Sequence, residues 1–247
     1  MEVISQVWRS DLALLALDGV AVEHHSTYVV ADSGLLLLRR APVRRDVPRL
    51  TALAESHFTD GRPIVIGVDD PDAVPTDLTV FDDAGFTVSV SIALVADAEA
   101  VTTDQAARYD VRPLASEEDW QSRARLLPLR RDEPAAADQI AAERRLSDAG
   151  HATWWGGFEG LRLVGSAGIV VLDGHSRCQG VDLDPVARGT GLAARLVAAS
   201  VQHACSTQGA TTSMVVAAKG HPAIGLYEEV GFRRREAQVR TSRPCAL

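Results

Sequence analysis

The chain has 247 residues, enough for two domains of roughly 100 to 150 residues that each bury a core. Its 46% hydrophobic and 23% charged residues and its mean hydropathy of +0.01 argue against a disordered chain, and no apolar run reaches the ~18 residues that a membrane-spanning helix needs. The formal net charge of -8 is unevenly placed: residues 1–100 contribute -9, from 16 acidic side chains against 7 arginines. Residues 101–247 hold 17 against 18, which argues against nucleic-acid binding and makes the C-terminal half the better host for an anion.

Residues 1–11 carry Glu2, Arg9 and Asp11 and lack a basic start followed by an apolar run, so no secretory leader is expected and the protein is placed in the cytoplasm. Cys178, Cys205 and Cys245 have neither paired nor metal-type spacing, and the seven histidines are scattered, so neither disulfides nor a metal site is expected. In the N-terminal half the pattern predicts a helix over residues 11–17, strands at 28–31 and 35–38, a helix over 47–58 and a strand at 64–68. A weak internal repeat follows. LTVFDDAGFTVSVSIAL at 78–94 runs parallel to IGLYEEVGFRRREAQV at 224–239, placing Phe81 over Tyr227, Gly85 over Gly231 and Phe86 over Phe232, and the preceding strands IVIGVDD and SMVVAAK correspond in character. Residues 97–108, rich in Asp, Ala and Thr and without periodicity, read as the linker.

The C-terminal half opens with a strand at 109–115, then Ser116 as N-cap with Glu117, Glu118 and Asp119 in the first turn of a helix that ends near Leu127, where Pro128 and Pro134 break the pattern. A second helix is expected over 138–148, closed by Gly150. Strands at 151–158, 161–172 and 177–183 are joined by Glu159-Gly160 and Asp173-Gly174 turns that suit antiparallel hairpins. A helix over 189–207, a strand at 212–218, a helix over 222–229, a stop at Gly231 and a strand at 232–241 complete the order β-α-α-β-β-β-α-β-α-β, a mixed α/β sheet flanked by helices.

Chemistry concentrates in VDLDPVARGTGLA at 181–193, which runs from a strand end through Pro185 into a glycine-bearing turn and an amphipathic helix. The first amides of a helix have no intrahelical partner and sit at the positive end of its dipole, so such a turn stabilises an anion. Gly189 and Gly191 permit conformations and approach distances that a Cβ forbids. Neither G-x-G-x-x-G nor G-K-[ST] is present, which sets dinucleotides and nucleoside triphosphates aside.

Arg188-Gly189-Thr190-Gly191-Leu192-Ala193 instead resembles the R-x-x-G-x-A pyrophosphate loop of the GNAT superfamily of acyl-CoA N-acyltransferases. The preceding V-D-L-D-P resembles that family's fourth strand, and PAIGLYEEVGF at 222–232 resembles its later helix with a tyrosine and a closing Gly-Phe. The resemblance covers residues 109–241 and implies domains at 1–97, a degenerate GNAT-like copy, and at 109–241, the acyltransferase, with a linker at 98–108. It further implies that backbone groups of Val181, Asp182 and Leu183 pair with the pantetheine arm of acetyl-CoA, the co-substrate, and that amides from Gly189 through Thr190, Gly191, Leu192 and Ala193 to Ala194 hold the pyrophosphate. Tyr227 stands where the family has the donor that protonates the departing thiolate, although packing on the apolar face of its helix is the alternative. The acceptor implied is a primary amine of a small molecule or peptide. No nucleic-acid or membrane partner is expected, and a homodimer is left open.

Two departures stand out. Gly220 replaces an asparagine that many relatives carry seven residues before the tyrosine, and Gly180 replaces a glutamate base that some carry on the fourth strand. The alternative base position on the fifth strand is Val215, so Asp182 is left as the nearest carboxylate, acting through water or standing as a solvated strand residue. Glu133 is a candidate for contacting a cationic acceptor. Of the adjacent Trp154 and Trp155, at most one can line a given cleft; Trp154 is the substrate-binding candidate, with core packing of both as the alternative. A non-catalytic acyl-CoA sensor is the rival reading.

Overall fold

The structure is a computed structural model that describes residues 5–58, 61–70, 72–104, 108–127 and 133–244, the side chains of 133–135 excepted. In chain order it forms α1 (Gln6–Leu17), β1 (Val22–His24), β2 (Tyr28–Ala31), β3 (Leu35–Leu38), α2 (Val47–His57), β4 (Ile64–Val68), a 3-10 run at Thr79–Ala84 and β5 (Thr87–Asp97). These are followed by β6 (Asp110–Pro113), α3 (Glu117–Leu126), α4 (Glu133–Asp148), β7 (Ala152–Glu159), β8 (Arg162–Leu172) and β9 (His175–Leu183). The chain ends with α5 (Leu192–Gln208), β10 (Thr212–Ala218), α6 (Ala223–Glu229) and β11 (Arg233–Arg243).

Three elements depart from the sequence expectation for local reasons. Helix α1 starts five residues earlier than its apolar pattern suggests, because Ser5 caps it by accepting from the Trp8 amide and because Val7 and Trp8 are buried. Helix α4 likewise starts at Glu133, with Pro134 in its first turn, where a missing N–H costs nothing. Strand β1 escaped notice because three residues, two of them exposed, carry no alternation to read. Pro128 and Cys245 lie outside the described residues.

The chain divides into two units: residues 1–93, 216–221 and 235–247 form the first, and residues 94–215 and 222–234 the second. This differs from the expected division at 98–108. Ala98 and Val101 are fully buried, and the Thr102 amide donates to the Val230 carbonyl at 3.2 Å, so the first part of the expected linker is packed into the second unit. Most of β11 belongs to the first unit, pairing antiparallel with β4 from Arg240↔Gly67 to Arg243↔Ile64.

In the first unit the strand order is β1-β2-β3-β4-β11-β5. Alternating side chains divide its core between two faces. Val29, Ala31, Leu35 and Leu37 pack under Trp8 and Leu12 of α1, whereas Val30, Leu36, Leu38, Ile64, Ile66 and Val68 pack under Leu50 and Ala54 of α2 and under Phe81. In the second unit the order is β10-β9-β8-β7-β6, antiparallel from β6 to β9 and parallel between β9 and β10. Helices α3 and α4 pack on β8 and β7, and α5 packs on β7, β8 and β9. The expected turns form, with Gly160 at φ 61° and Asp173 and Gly174 at φ 48° and 77°.

The internal repeat is visible in the backbone. In the first unit the Gly85 amide donates to Asp82 O (2.9 Å) and the Phe86 amide to Phe81 O (3.4 Å); in the second the Gly231 amide donates to Glu228 O (3.3 Å) and the Phe232 amide to Tyr227 O (3.0 Å). Both glycines have positive φ, 79° and 113°, as this helix-closing motif requires. The paired rings sit alike, 5.5 Å apart for Phe81 and Phe86 and 6.2 Å for Tyr227 and Phe232.

Candidate functional site

Within the second unit, β9 and β10 pair only at Thr212↔His175, Ser213↔Ser176 and Met214↔Arg177. From Cys178 to Leu183, β9 continues without a further β10 partner among the described residues. The cause lies on its other side, where β9 pairs β8 as Ser166↔Asp182 and then Gly168↔Gln179, so that two residues, Gly180 and Val181, oppose one. Such a bulge bends the strand, and Gly180 accepts the positive φ of 59° that it demands. The backbone of Val181, Asp182 and Leu183 is thereby left along an edge that an extended ligand can join.

The chain then enters α5. Asp184 caps the 3-10 turn Pro185–Ala187, accepting from the Val186 amide at 3.0 Å and from Arg162 at 2.6 Å. These contacts, the amide first, hold its carboxyl below the usual range. Thr190 Oγ1 donates to Ala187 O at 2.7 Å and closes the turn between Gly189 (φ 71°) and Gly191 (φ 80°). Gly191 is the N-cap and brings no side chain to the helix start; the first intrahelical bond is Arg195 N to Gly191 O, 3.2 Å. The amides of Leu192, Ala193 and Ala194 are therefore the orphan donors of α5, next to the turn formed by Arg188, Gly189 and Thr190. A pyrophosphate fits this arrangement: donors converge at the positive end of a 17-residue helix with no carboxylate in its first turn.

Tyr227 lies on α6, 7% exposed, with its ring edge-on to Phe232. Asp182 is not a solvated residue. It is buried, and its Oδ2 accepts from Arg123 Nη1 of α3 at 2.9 Å. Arg123 is itself fully buried and forks onto Glu143 of α4, with Nε to Oε2 at 3.1 Å and Nη2 to Oε1 at 2.9 Å, while Gln139 donates to the same Oε1 at 2.6 Å. Burial alone would lower the guanidinium pKa; the charges and hydrogen bonds of Glu143 and then Asp182 outweigh it and raise the value. Sequence reasoning missed both Arg123 and Glu143, because an arginine and a glutamate on helices give no sign of burial until the helices are docked.

Trp154 is 1% exposed and packs 6.0 Å from Trp120 of α3, whereas Trp155 meets His203 of α5 at 5.4 Å on the opposite face. Trp154 is thus a core residue whose one polar atom, Nε1, has no hydrogen-bond partner among the described residues. Glu133 opens α4, and its side chain lies outside the described residues. Helix α3 is fixed by a capping box between Ser116 and Asp119 and by Arg112, which donates to both Asp119 oxygens at 2.7 and 2.9 Å. Arg112 first, and then the amides of Ala115 and Ser116, hold the Asp119 carboxyl well below the carboxylate range despite its burial. Cys178, with burial pushing its thiol up to about 12, is a packing residue. Among the described residues no group of three or more His, Cys, Asp or Glu is placed to hold a metal, and no helix is long and apolar enough to cross a membrane.

Residues 118–232 match the acetyltransferase (GNAT) family. No curated protein matches the chain in sequence. Solved structures similar to it include a functionally unknown conserved protein from Staphylococcus epidermidis (TM-score 0.74, 11% identity, 91% of this chain and 93% of that one). A GCN5-related N-acetyltransferase from Kribbella flavida is also similar (TM-score 0.73, 17% identity, 100% and 97%), as is a tandem GNAT protein from the clavulanic acid biosynthesis pathway (TM-score 0.61, 13% identity, 92% and 84%). At these identities the likeness is one of fold.

Proposed function

We propose that residues 118–232, which match the acetyltransferase (GNAT) family, transfer an acetyl or other short acyl group from acyl-CoA to a primary amine of a small molecule or peptide in the cytoplasm. The observation that carries this reading is the parting of β9 from β10 beside an α5 start whose cap is a glycine. An extended arm ending in a pyrophosphate needs both features: an open strand edge for its amides and an uncapped helix start for its charge.

In this reading the bound acyl-CoA supplies the thioester, and the protein supplies binding, orientation and proton management. The Val181–Leu183 backbone aligns the arm, and the turn from Arg188 to Ala194 holds the phosphates. Tyr227 donates a proton to the departing sulfur, with its ring fixed against Phe232. Gly180, Gly220 and the engagement of Asp182 by Arg123 favour a second reading, an acyl-CoA sensor without turnover. The two separate on one measurement. Release of CoA from acetyl-CoA in the presence of a panel of amines, antibiotics and peptides supports the enzyme, whereas calorimetric acetyl-CoA binding without release for any acceptor supports the sensor.

A further inference from the structure

The end of β9 is held by the sheet from one side only. Asp182 and Leu183 pair with Ser166 and Gly165 of β8, and among the described residues β10 offers them no partner. They follow a bulge, where the ladder is interrupted, so backbone pairing alone does not set the bend of this edge. A side chain supplies a further hold. Asp182, the first residue paired after the bulge, accepts from Arg123 Nη1 of α3 at 2.9 Å. Arg123 is fully buried, and its Nε and Nη2 are taken by Glu143 of α4, which also accepts from Gln139 one turn earlier on the same helix. Because the guanidinium is a planar fork, two bonds to Glu143 fix the direction in which Nη1 points. The fork also lies against the bulge itself. A Cβ at Gly180 would stand 3.1 Å from Arg123 Nη2, so glycine there both accepts the φ of 59° and leaves the guanidinium its place.

We propose that Arg123 is a positioning residue for the arm of acyl-CoA: anchored by Glu143, it holds Asp182 and so sets the bend of β9 and the line of backbone groups at Val181, Asp182 and Leu183 that the arm joins. This rests on the acyl-CoA reading above, of which it needs the binding and not the turnover. Buried ion pairs add little net stability over apolar packing of the same volume, so what this cluster contributes is a defined position. The phosphate turn does not depend on it. That turn is closed by its own contacts, Thr190 Oγ1 on Ala187 O and Asp184 on the Val186 amide, so the strand edge and the helix start respond separately to loss of the tether. Asp182 has a further partner besides Arg123, and Arg123 also serves Glu143. Each residue alone therefore reads more than the tether, and only the effect that the two share belongs to it.

The test is calorimetry on the full chain with two ligands: acetyl-CoA, and ADP, which carries the pyrophosphate without the arm. Wild type should bind acetyl-CoA the more tightly. In Arg123→Met acetyl-CoA affinity should fall about tenfold or more, the contribution of one or two misaligned backbone hydrogen bonds, with ADP affinity within about twofold of wild type. Asp182→Ala, which leaves Arg123 paired with Glu143, should show the same pattern, and the double variant should be no weaker than the weaker single one. Equal losses for both ligands mark a general structural role and overturn the proposal. Full acetyl-CoA affinity in Arg123→Met, or losses that add in the double variant, also overturn it, because the effect would then belong to the other partner of Asp182. If Arg123→Met does not fold, adding Asp182→Asn and Glu143→Gln removes the two carboxylates that it strands. That triple variant should show the same arm-specific loss, and its absence overturns the proposal. A wild type that binds acetyl-CoA no more tightly than ADP, or binds neither, removes the acyl-CoA reading, and this proposal with it.

Discussion

In the first unit β3 stays paired with β4 along its whole length, from Leu35↔Val65 to Leu38↔Val68, and the ladder continues in the bond from the Asp69 amide to Leu38 O. In the second unit β9 leaves β10 after three pairs. The same contrast holds at the following helix. Helix α5 opens on Gly191 after a two-glycine turn, whereas α2 opens after Arg44, Arg45 and Asp46, with Pro48 in its first turn removing one of the donors an anion would use. On the other face of the first sheet, Trp8 of α1 lies over Gly67 of β4, where a Cβ would collide with its ring, and its Nε1 donates to Val68 O at 2.9 Å. The helix-closing motif around Gly85 and Gly231 is nonetheless shared. What persists between the copies is thus a packing device, and what differs is a bulge and a turn.

The sharpest way to break this comparison is the pair of residues at which the motifs differ by one oxygen. Tyr227→Phe keeps the ring against Phe232, so kcat in single turnover should fall by about 100- to 10,000-fold with acetyl-CoA affinity within a few-fold, if the hydroxyl protonates the leaving sulfur. A single-turnover rate equal to wild type would reduce Tyr227 to the packing role that Phe81 plays in the first unit.

Next in size is Gly191→Glu, which sets a carboxylate and a Cβ at the α5 cap and should weaken acetyl-CoA binding by about tenfold to a hundredfold without loss of fold. Calorimetry on the wild type should give one acetyl-CoA per chain; two would mean that the first unit binds as well and would end the contrast. Unchanged affinity in Gly191→Glu would remove the pyrophosphate from this turn.

Two smaller effects concern how each unit is held together. Gly67→Ala forces the Trp8 ring off β4 and should cost about 1–3 kcal/mol in urea unfolding, leaving acetyl-CoA affinity unaltered. Asp119→Asn loses the charge that Arg112 and the α3 cap stabilise, about 1–2 kcal/mol at neutral pH. Because the folded carboxyl titrates below its unfolded value of about 3.9, that contribution is complete above this pH and is lost as pH falls through the lower folded value. The gap in melting temperature between wild type and variant should therefore be constant above about pH 4 and narrow progressively as the pH falls below the unfolded value, and a gap that does not narrow in acid would show that packing, not charge, is at work.

Much of this was legible from residue order, because the signals involved are local. Period-two apolar runs, Ser116 with Asp119, the Asp173-Gly174 turn and the Arg188 to Ala193 turn each act within a few residues, so most of the elements, the mixed α/β class, the family likeness and the glycine turn at the α5 start could be read before any folding. The repeat was also legible, since Phe81, Gly85 and Phe86 match Tyr227, Gly231 and Phe232 at identical spacing. What only the tertiary structure decided depends on residues far apart in sequence. The last strand crosses to β4, giving units that interleave along the chain. Asp182, legible as a lone carboxylate, acquires its partner 59 positions away. Glu143 meets Arg123 and faces Gly180 only once α3 and α4 lie on the sheet. Burial, charge balance and an unpaired indole N–H are properties of that docking, and no periodicity or spacing encodes them, because each is set by which surfaces meet.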